Sequence, residues 1–214
     1  MKGVLVAFEG IDGAGKYTQL LKVMGWIESE LGRIVSWSSE PNDQSSPIGK
    51  HIRAILRHEI RRPDDPVELQ RRYVIDRAQD IFCFIAPVLK AGGIYLIERY
   101  ALSTIAYGML SGKPPEVFIN LHREVVGPGM VWPDLTVLLD VSVETATKRR
   151  LQARSELELF EKRESLERVR QSYLRLVHHP FFTERVVVVD GEGSPEEVFE
   201  RVKKTIELLL PSRG

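Results

Sequence analysis

Only one cysteine, Cys83, occurs in the chain, which excludes an internal disulfide framework and a cysteine-built metal site. Charge of one sign is not in excess either. Thirty basic residues cancel 30 acidic ones, so no global positive field exists to hold nucleic acid or an anionic membrane. No run approaches the roughly 18 apolar residues of a membrane span, and the N-terminal MKGVLVAFEG reaches its glycine turn before a signal-peptide core could form. Internal repeats, low-complexity tracts and long linkers are missing too. These absences predict a cytoplasmic protein with no nucleic-acid or membrane partner. What is present is the balance of a globular chain, 43% hydrophobic and 28% charged over 214 residues. That length suits one α/β core and is short for two independent domains, so a single domain over 1–214 with a mobile flap is expected. Cys83 lies in the apolar run Ile81-Phe82-Cys83-Phe84-Ile85 and reads as a packed core thiol.

Short β-branched runs alternate with longer amphipathic segments, the pattern of a parallel sheet connected by helices. The runs occupy 3–9, 33–37, 94–98, 135–141 and 185–190, and their nearly continuous apolar character predicts strands covered on both faces. A five-stranded parallel sheet in a three-layer α/β sandwich follows. A helix is expected from Thr18 to Leu31, with Leu20, Leu21, Met24, Ile27 and Leu31 along one side. A last helix is expected from Pro195 to Leu210, opened by Ser194 as N-cap with Glu197 completing a capping box.

The first strand runs into Gly10-Ile11-Asp12-Gly13-Ala14-Gly15-Lys16-Tyr17-Thr18 and then a helical pattern. This fits the first seven positions of G-x-x-x-x-G-K-[ST] in the strand–loop–helix context that a phosphate-binding loop requires. The glycines let successive amides point inward at phosphate oxygens, the helix start adds its positive dipole end, and Lys16 supplies a point charge. The residues from Gly10 to Thr18 are therefore the candidate ATP site. A dinucleotide fold is set aside because the glycine order is G-x-x-G-x-G. Tyr17 departs from the pattern: a phenol projects too far to place its oxygen on Mg²⁺ as serine or threonine does. Thr18 follows but points about 100° further round the helix.

Four blocks in this order, FEGIDGAGKYTQ at 8–19, YVIDRAQD at 73–80, ERYALSTIAYG at 98–108 and PDLTVLLDV at 133–141, give the chain a resemblance to the thymidylate kinase family along nearly its whole length. The resemblance implies a P-loop kinase fold, ATP and dTMP as substrates, Mg²⁺ as cofactor and a homodimer. It also implies roles. Asp12 would reach the sugar 3′-hydroxyl of dTMP, Tyr73 would stack on thymine, and Arg77 would hydrogen-bond the base edge. Arg99 would clamp the acceptor phosphate, with a planar fork suited to phosphate oxygens. Glu98, in place of the usual aspartate, would reach the metal through water together with Thr18. Ser103 and Thr104 would line the base site, Tyr107 would pack on the deoxyribose, and Gly108 would lack a polar contact that glutamine gives in relatives. Glu40, in the loop Glu40-Pro41, and Arg53, on the helix after it, complete the implied dTMP site.

The segment from Lys148 to Arg163 is dense in both charge signs and is expected to project as a lid over about 148–163. Phosphoryl transfer depends on alignment and on neutralising charge. The family carries a basic residue in the P-loop or on the lid, and Gly13 leaves the task to the lid. Arg149 and Arg154 are favoured over Arg150, with Phe160 approaching the acceptor sugar. The catalytic set expected is thus Lys16, Glu98, Arg99, Arg149 and Arg154. Two other readings stay open: a nucleotide kinase with altered or broadened acceptor choice, and a catalytically weakened nucleotide-binding relative, for which Tyr17 speaks.

Overall fold

The structure, a computed structural model, describes residues 3–152 and 163–210. Arg154 and Phe160 lie outside the described residues. Five parallel strands form one sheet in the order β2-β3-β1-β4-β5: β1 Val4–Glu9, β2 Val35–Ser39, β3 Ile94–Glu98, β4 Leu135–Asp140 and β5 Val186–Asp190. The helices are α1 Lys16–Glu30, α2 Pro47–Leu56, α3 Pro66–Asp80, α4 Ala86–Lys90, α5 Ala101–Gly108, α6 Pro115–Val126, α7 Val143–Gln152, α8 Arg163–Val177 and α9 Pro195–Glu207. Helices α1 and α9 pack together on one face, while α3, α5, α6 and α8 make the opposite layer.

The expected strands form within two residues of their sequence bounds, because each apolar run ends where glycine, proline or a charge cluster begins. Cover on both faces holds for β1, β3 and β4 only. At the two edges helical cover thins, and Trp37 of β2 and Val187 and Val188 of β5 are exposed. Helix α9 opens as expected, with Ser194 accepting from the Glu197 amide at 3.3 Å and Glu197 accepting from the Ser194 amide at 2.7 Å.

The expected core thiol is a correction. Residues Ile81–Ile85 continue α3 as one π-helical turn that buries Ile81 and Ile85, one helical turn apart, and leaves Phe82, Cys83 and Phe84 on its outer side. An apolar run alone gives no sign of which side of the helix meets the core.

The loop after β2 is tied to α3 by two buried carboxylates. The Asn42 amide donates to Asp76 Oδ2 at 2.9 Å, and Asn42 Nδ2 donates to Asp80 Oδ1 at 2.6 Å. Burial pushes the Asp80 carboxyl up to about 6. A carboxyl with a raised folded-state value contributes stability that is complete below the unfolded value and is lost as pH rises towards 6. The urea midpoint difference between wild type and Asp80→Asn is therefore expected to favour wild type more at pH 4.5 than at pH 6.5; a difference independent of pH would contradict this.

Candidate active site

The glycine loop follows β1 and closes on α1. No side chain caps that helix and no acidic residue stands in its first turn, so its leading amides are left to a ligand. Gly15 is the N-cap residue. Lys16 is buried, donates from Nζ to the Ile11 carbonyl at 3.0 Å, and lies 3.9 Å from Glu98 Oε1. Burial pushes its ammonium down to about 8, with Arg99 adding repulsion against the pull of Asp12 and Glu98. Gly13 has φ of 87°, and a Cβ there would sit 2.3 Å from the Ala146 carbonyl oxygen of α7. The close approach of α7 is the physical reason that no basic side chain can stand at that loop position.

In the order β2-β3-β1-β4-β5 the connections leave β1 and β3 in opposite directions, so a crevice opens between their carboxyl ends. Glu98 and Arg99 sit there facing the loop. Arg99 has φ of 62°, held by its amide's bond to the Phe8 carbonyl at 2.9 Å. Its guanidinium pairs directly with Asp12, donates to Ser103 Oγ at 3.3 Å, and lies 5.7 Å from the centre of the Tyr107 ring. Burial disfavours the Asp12 carboxylate, but Arg99, Lys16 and Arg150 outweigh that and hold it below the usual range. Asp12, Gly13, Gly15, Lys16, Tyr17, Thr18, Glu98 and Arg150 line an open cleft of about 250 Å³.

The other expected residues are gathered beside this cleft with unexpected partners. Arg77 is completely covered. Its Nε donates to Glu40 Oε1 at 3.0 Å, its Nη2 contacts Glu40 Oε2, and Nη2 also donates to Thr104 Oγ1 at 3.1 Å. Burial raises the Glu40 carboxyl against the opposing pull of Arg77. A fork already filled by protein groups differs from an arginine presented openly to a base edge. Tyr73 is half-buried, with its hydroxyl pushed up to about 12 by burial, and it feels the charges of Arg99, Arg53, Asp12 and Glu40. Arg53 donates from Nε to Asp43 at 2.9 Å. Ser103 is committed elsewhere, its hydroxyl bonded to Glu9 Oε2 and 2.8 Å from the Tyr173 hydroxyl.

Of the two arginines on α7, Arg150 lines the cleft, whereas Arg149 donates from Nη2 to the carbonyls of Gly191 and Gly193 at 3.0 and 2.9 Å. One residue along α7 turns the side chain by about 100°, which takes Arg149 to the loop after β5 and Arg150 to the cleft. The candidate metal donors among the residues lining the cleft are oxygens: the Asp12 and Glu98 carboxylates, the former paired with Arg99, and the Thr18 hydroxyl. Among the described residues no group of three acidic, histidine or cysteine side chains could enclose an ion. That donor set fits a hard cation that keeps several waters and takes phosphate oxygens, as Mg²⁺ does. Tyr17 adds nothing to it. Its ring is 46% exposed and rests against Trp37, centroids 5.6 Å apart at 56°.

Glu9 escaped the sequence reading. Fully buried at the end of β1, it accepts from the amides of Tyr100 and Ser103 at 2.8 and 3.0 Å and from the Tyr173 hydroxyl at 3.1 Å, so it pins the start of α5 and with it Arg99. A carboxylate ending an apolar strand was the available signal. Gly108 also has a structural cause: a Cβ there would lie 2.5 Å from the Phe118 ring, which fills the space a longer side chain would use. Gly108→Gln is expected to destabilise by about 1–3 kcal/mol through overpacking, against the roughly 1 kcal/mol that helix propensity would favour; a urea midpoint at or above wild type would contradict this.

A parallel sheet with its crevice between β1 and β3, an uncapped glycine loop and a converging set of arginines define a P-loop nucleotide kinase. The family model described as thymidylate kinase matches residues 8–202. The chain is similar to "Thymidylate kinase" of Maridesulfovibrio salexigens, 35% identical with 96% of each chain covered. It is likewise similar to "Probable thymidylate kinase" of Archaeoglobus fulgidus, 35% identical over 97% of this chain and 96% of the relative, and to "Thymidylate kinase" of Caldicellulosiruptor saccharolyticus, 31% identical over the whole of both. The chain belongs to the thymidylate kinase family.

Proposed function

We propose that the protein transfers the γ-phosphoryl group of ATP to dTMP, giving ADP and dTDP. The observation that carries this reading is the pairing of Arg99 with Asp12 across the crevice, beside an uncapped P-loop. A phosphate dianion is the natural replacement for Asp12 on the Arg99 fork. Once exchanged, the Asp12 carboxylate is released to accept a hydrogen bond from a sugar 3′-hydroxyl. The loop amides and Lys16 hold the donor phosphates, and an acceptor phosphate oxygen bonds to the γ-phosphorus as its bond to the ADP oxygen breaks. Arg150 neutralises charge on the transferred group. Glu98 and Thr18 would hold Mg²⁺ through water, and the ion when bound supplies charge neutralisation at the donor phosphates. Tyr73 and Tyr107 provide the ring surfaces for base and sugar.

A coupled ADP-release assay across nucleoside monophosphates tests the assignment: dTMP is expected to lead, and equal rates with UMP or AMP would sink it. Tyr17→Thr is expected to change turnover by less than about threefold, under 1 kcal/mol, because the metal donors lie elsewhere. A large Mg²⁺-dependent gain would instead support the weakened relative.

We read the chain as one catalytic domain with its lid at about 148–163. No helix among the described residues is long and apolar enough to cross a membrane, and the substrates inferred place the protein in the cytoplasm. A homodimer is supported by the apolar face of α3 and its π-helical turn, where Ile75, Phe82 and Phe84 are exposed. Light scattering on Phe82→Asp is expected to show a monomer where wild type is dimeric.

A further inference from the structure

His122 belongs to none of the motifs that define the site, yet it holds Arg77 from behind. It lies in α6, fully buried. Its Nδ1–H donates to the Phe118 carbonyl at 2.6 Å, one turn earlier, which leaves the lone pair on Nε2. That nitrogen accepts from Arg77 Nη1 at 2.5 Å. Burial and the adjacent guanidinium push the imidazole down to about 3, so it is a neutral acceptor throughout the working range. The Trp132 ring, 5.4 Å away, packs against the imidazole.

A guanidinium has five N–H groups in one plane. Glu40 takes two, Thr104 one and His122 one, so a single Nη1–H lacks a protein acceptor among the described residues. Because Thr104 Oγ1 accepts from Arg77, its own hydrogen must be donated elsewhere. Both remaining groups are donors, and their directions are set by the bond to His122.

We propose that His122 is a positioning residue for acceptor binding: it fixes the rotation of the buried Arg77, and through Arg77 the polarity of Thr104, so that the hydrogen-bonding groups these two residues keep for a carbonyl of the acceptor base are donors. The inference rests on dTMP, a 4-oxo pyrimidine nucleotide, being the acceptor. Glu40 alone would still hold the fork, so losing His122 affects binding of the acceptor and leaves the phosphoryl-transfer groups in place.

The test compares His122→Leu, which fills the space without an acceptor, with His122→Gln, whose Oε1 restores one. His122→Leu is expected to raise KM and the calorimetric Kd for dTMP about tenfold, one hydrogen bond's worth, with kcat and KM for ATP within twofold. His122→Gln is expected to recover most of the loss. Unchanged dTMP affinity in the leucine variant would overturn the proposal. So would equal losses in both variants that move kcat and both KM values together, since that is how a packing role reads. If wild type prefers a different monophosphate, the dTMP assignment fails, and the role of His122 is judged by the same comparison on the preferred acceptor.

Discussion

Arg150→Ala is expected to lower kcat by about 10³-fold, at the lower end of what an arginine on the transferred phosphoryl group supplies, and Arg149→Ala to cost about tenfold or less. The contrast follows from where α7 sends the two side chains. Arg150 stands on the cleft wall and helps hold the Asp12 carboxylate ionised, so it shares a field with Lys16 and Arg99 beside the phosphate loop. Arg149 spends its fork on the carbonyls of Gly191 and Gly193, and its loss loosens the loop between β5 and α9. Gly13 sharpens the expectation, because the Ala146 carbonyl leaves no room for a cation inside the loop that could substitute. Steady-state kinetics with saturating dTMP and ATP decide it: a greater kcat loss in Arg149→Ala than in Arg150→Ala would reverse the assignment.

Lys16 should make catalysis fail on the alkaline side while the fold holds. Its ammonium titrates near 8 in the free protein, chiefly because it is buried, and only the charged form serves phosphate. The kcat/KM for ATP is therefore expected to fall about tenfold per pH unit above about 8, since this ratio reports groups of the free enzyme. The linkage to stability has the opposite sign. A lysine whose folded value lies below its unfolded one binds fewer protons when folded, so its contribution to stability grows as pH rises from 8 towards 10.5. Activity loss with an unshifted or higher urea midpoint separates titration from unfolding. Lys16→Met is expected to lose about 10²–10³-fold in kcat, as for removal of one electrostatic donor, and to show no limb near pH 8. A wild-type profile flat to pH 10 would refute the titration.

The sheet was legible because its evidence is local. Alternating apolar runs and helical repeats name strands and helices, and Ser194 with Glu197 announces α9 by side-chain chemistry alone. The phosphate loop was legible for the same reason, since Gly10 to Lys16 act through their own backbone. What sequence could not supply is which side chains spend their charge on each other. Asp12 and Arg99 are 87 positions apart, and Glu40 and Arg77 are 37 apart. Their pairing depends on strand order and on how far α3 leans towards β2. Arg149 and Arg150 differ by one helical step, and only the packed position of α7 distinguishes them. The exposure of Cys83 is another such case, since only the packing of α3 and its π-helical turn decides which side of Ile81–Ile85 meets the core.

Tyr17 supplies no oxygen to the metal end of the cleft, and Trp37 lies exposed beside its ring. Optically they are an asset. Of the three tryptophans, Trp26 is 5% exposed in the core and Trp132 is packed among His122, Phe181 and Phe182, whereas Trp37 is 39% exposed and touches a ring that lines the cleft. The chain thus carries its own fluorophore at the phosphate loop, with a phenol beside it, and nucleotide occupancy can be followed by tryptophan emission and acrylamide quenching without attaching a dye.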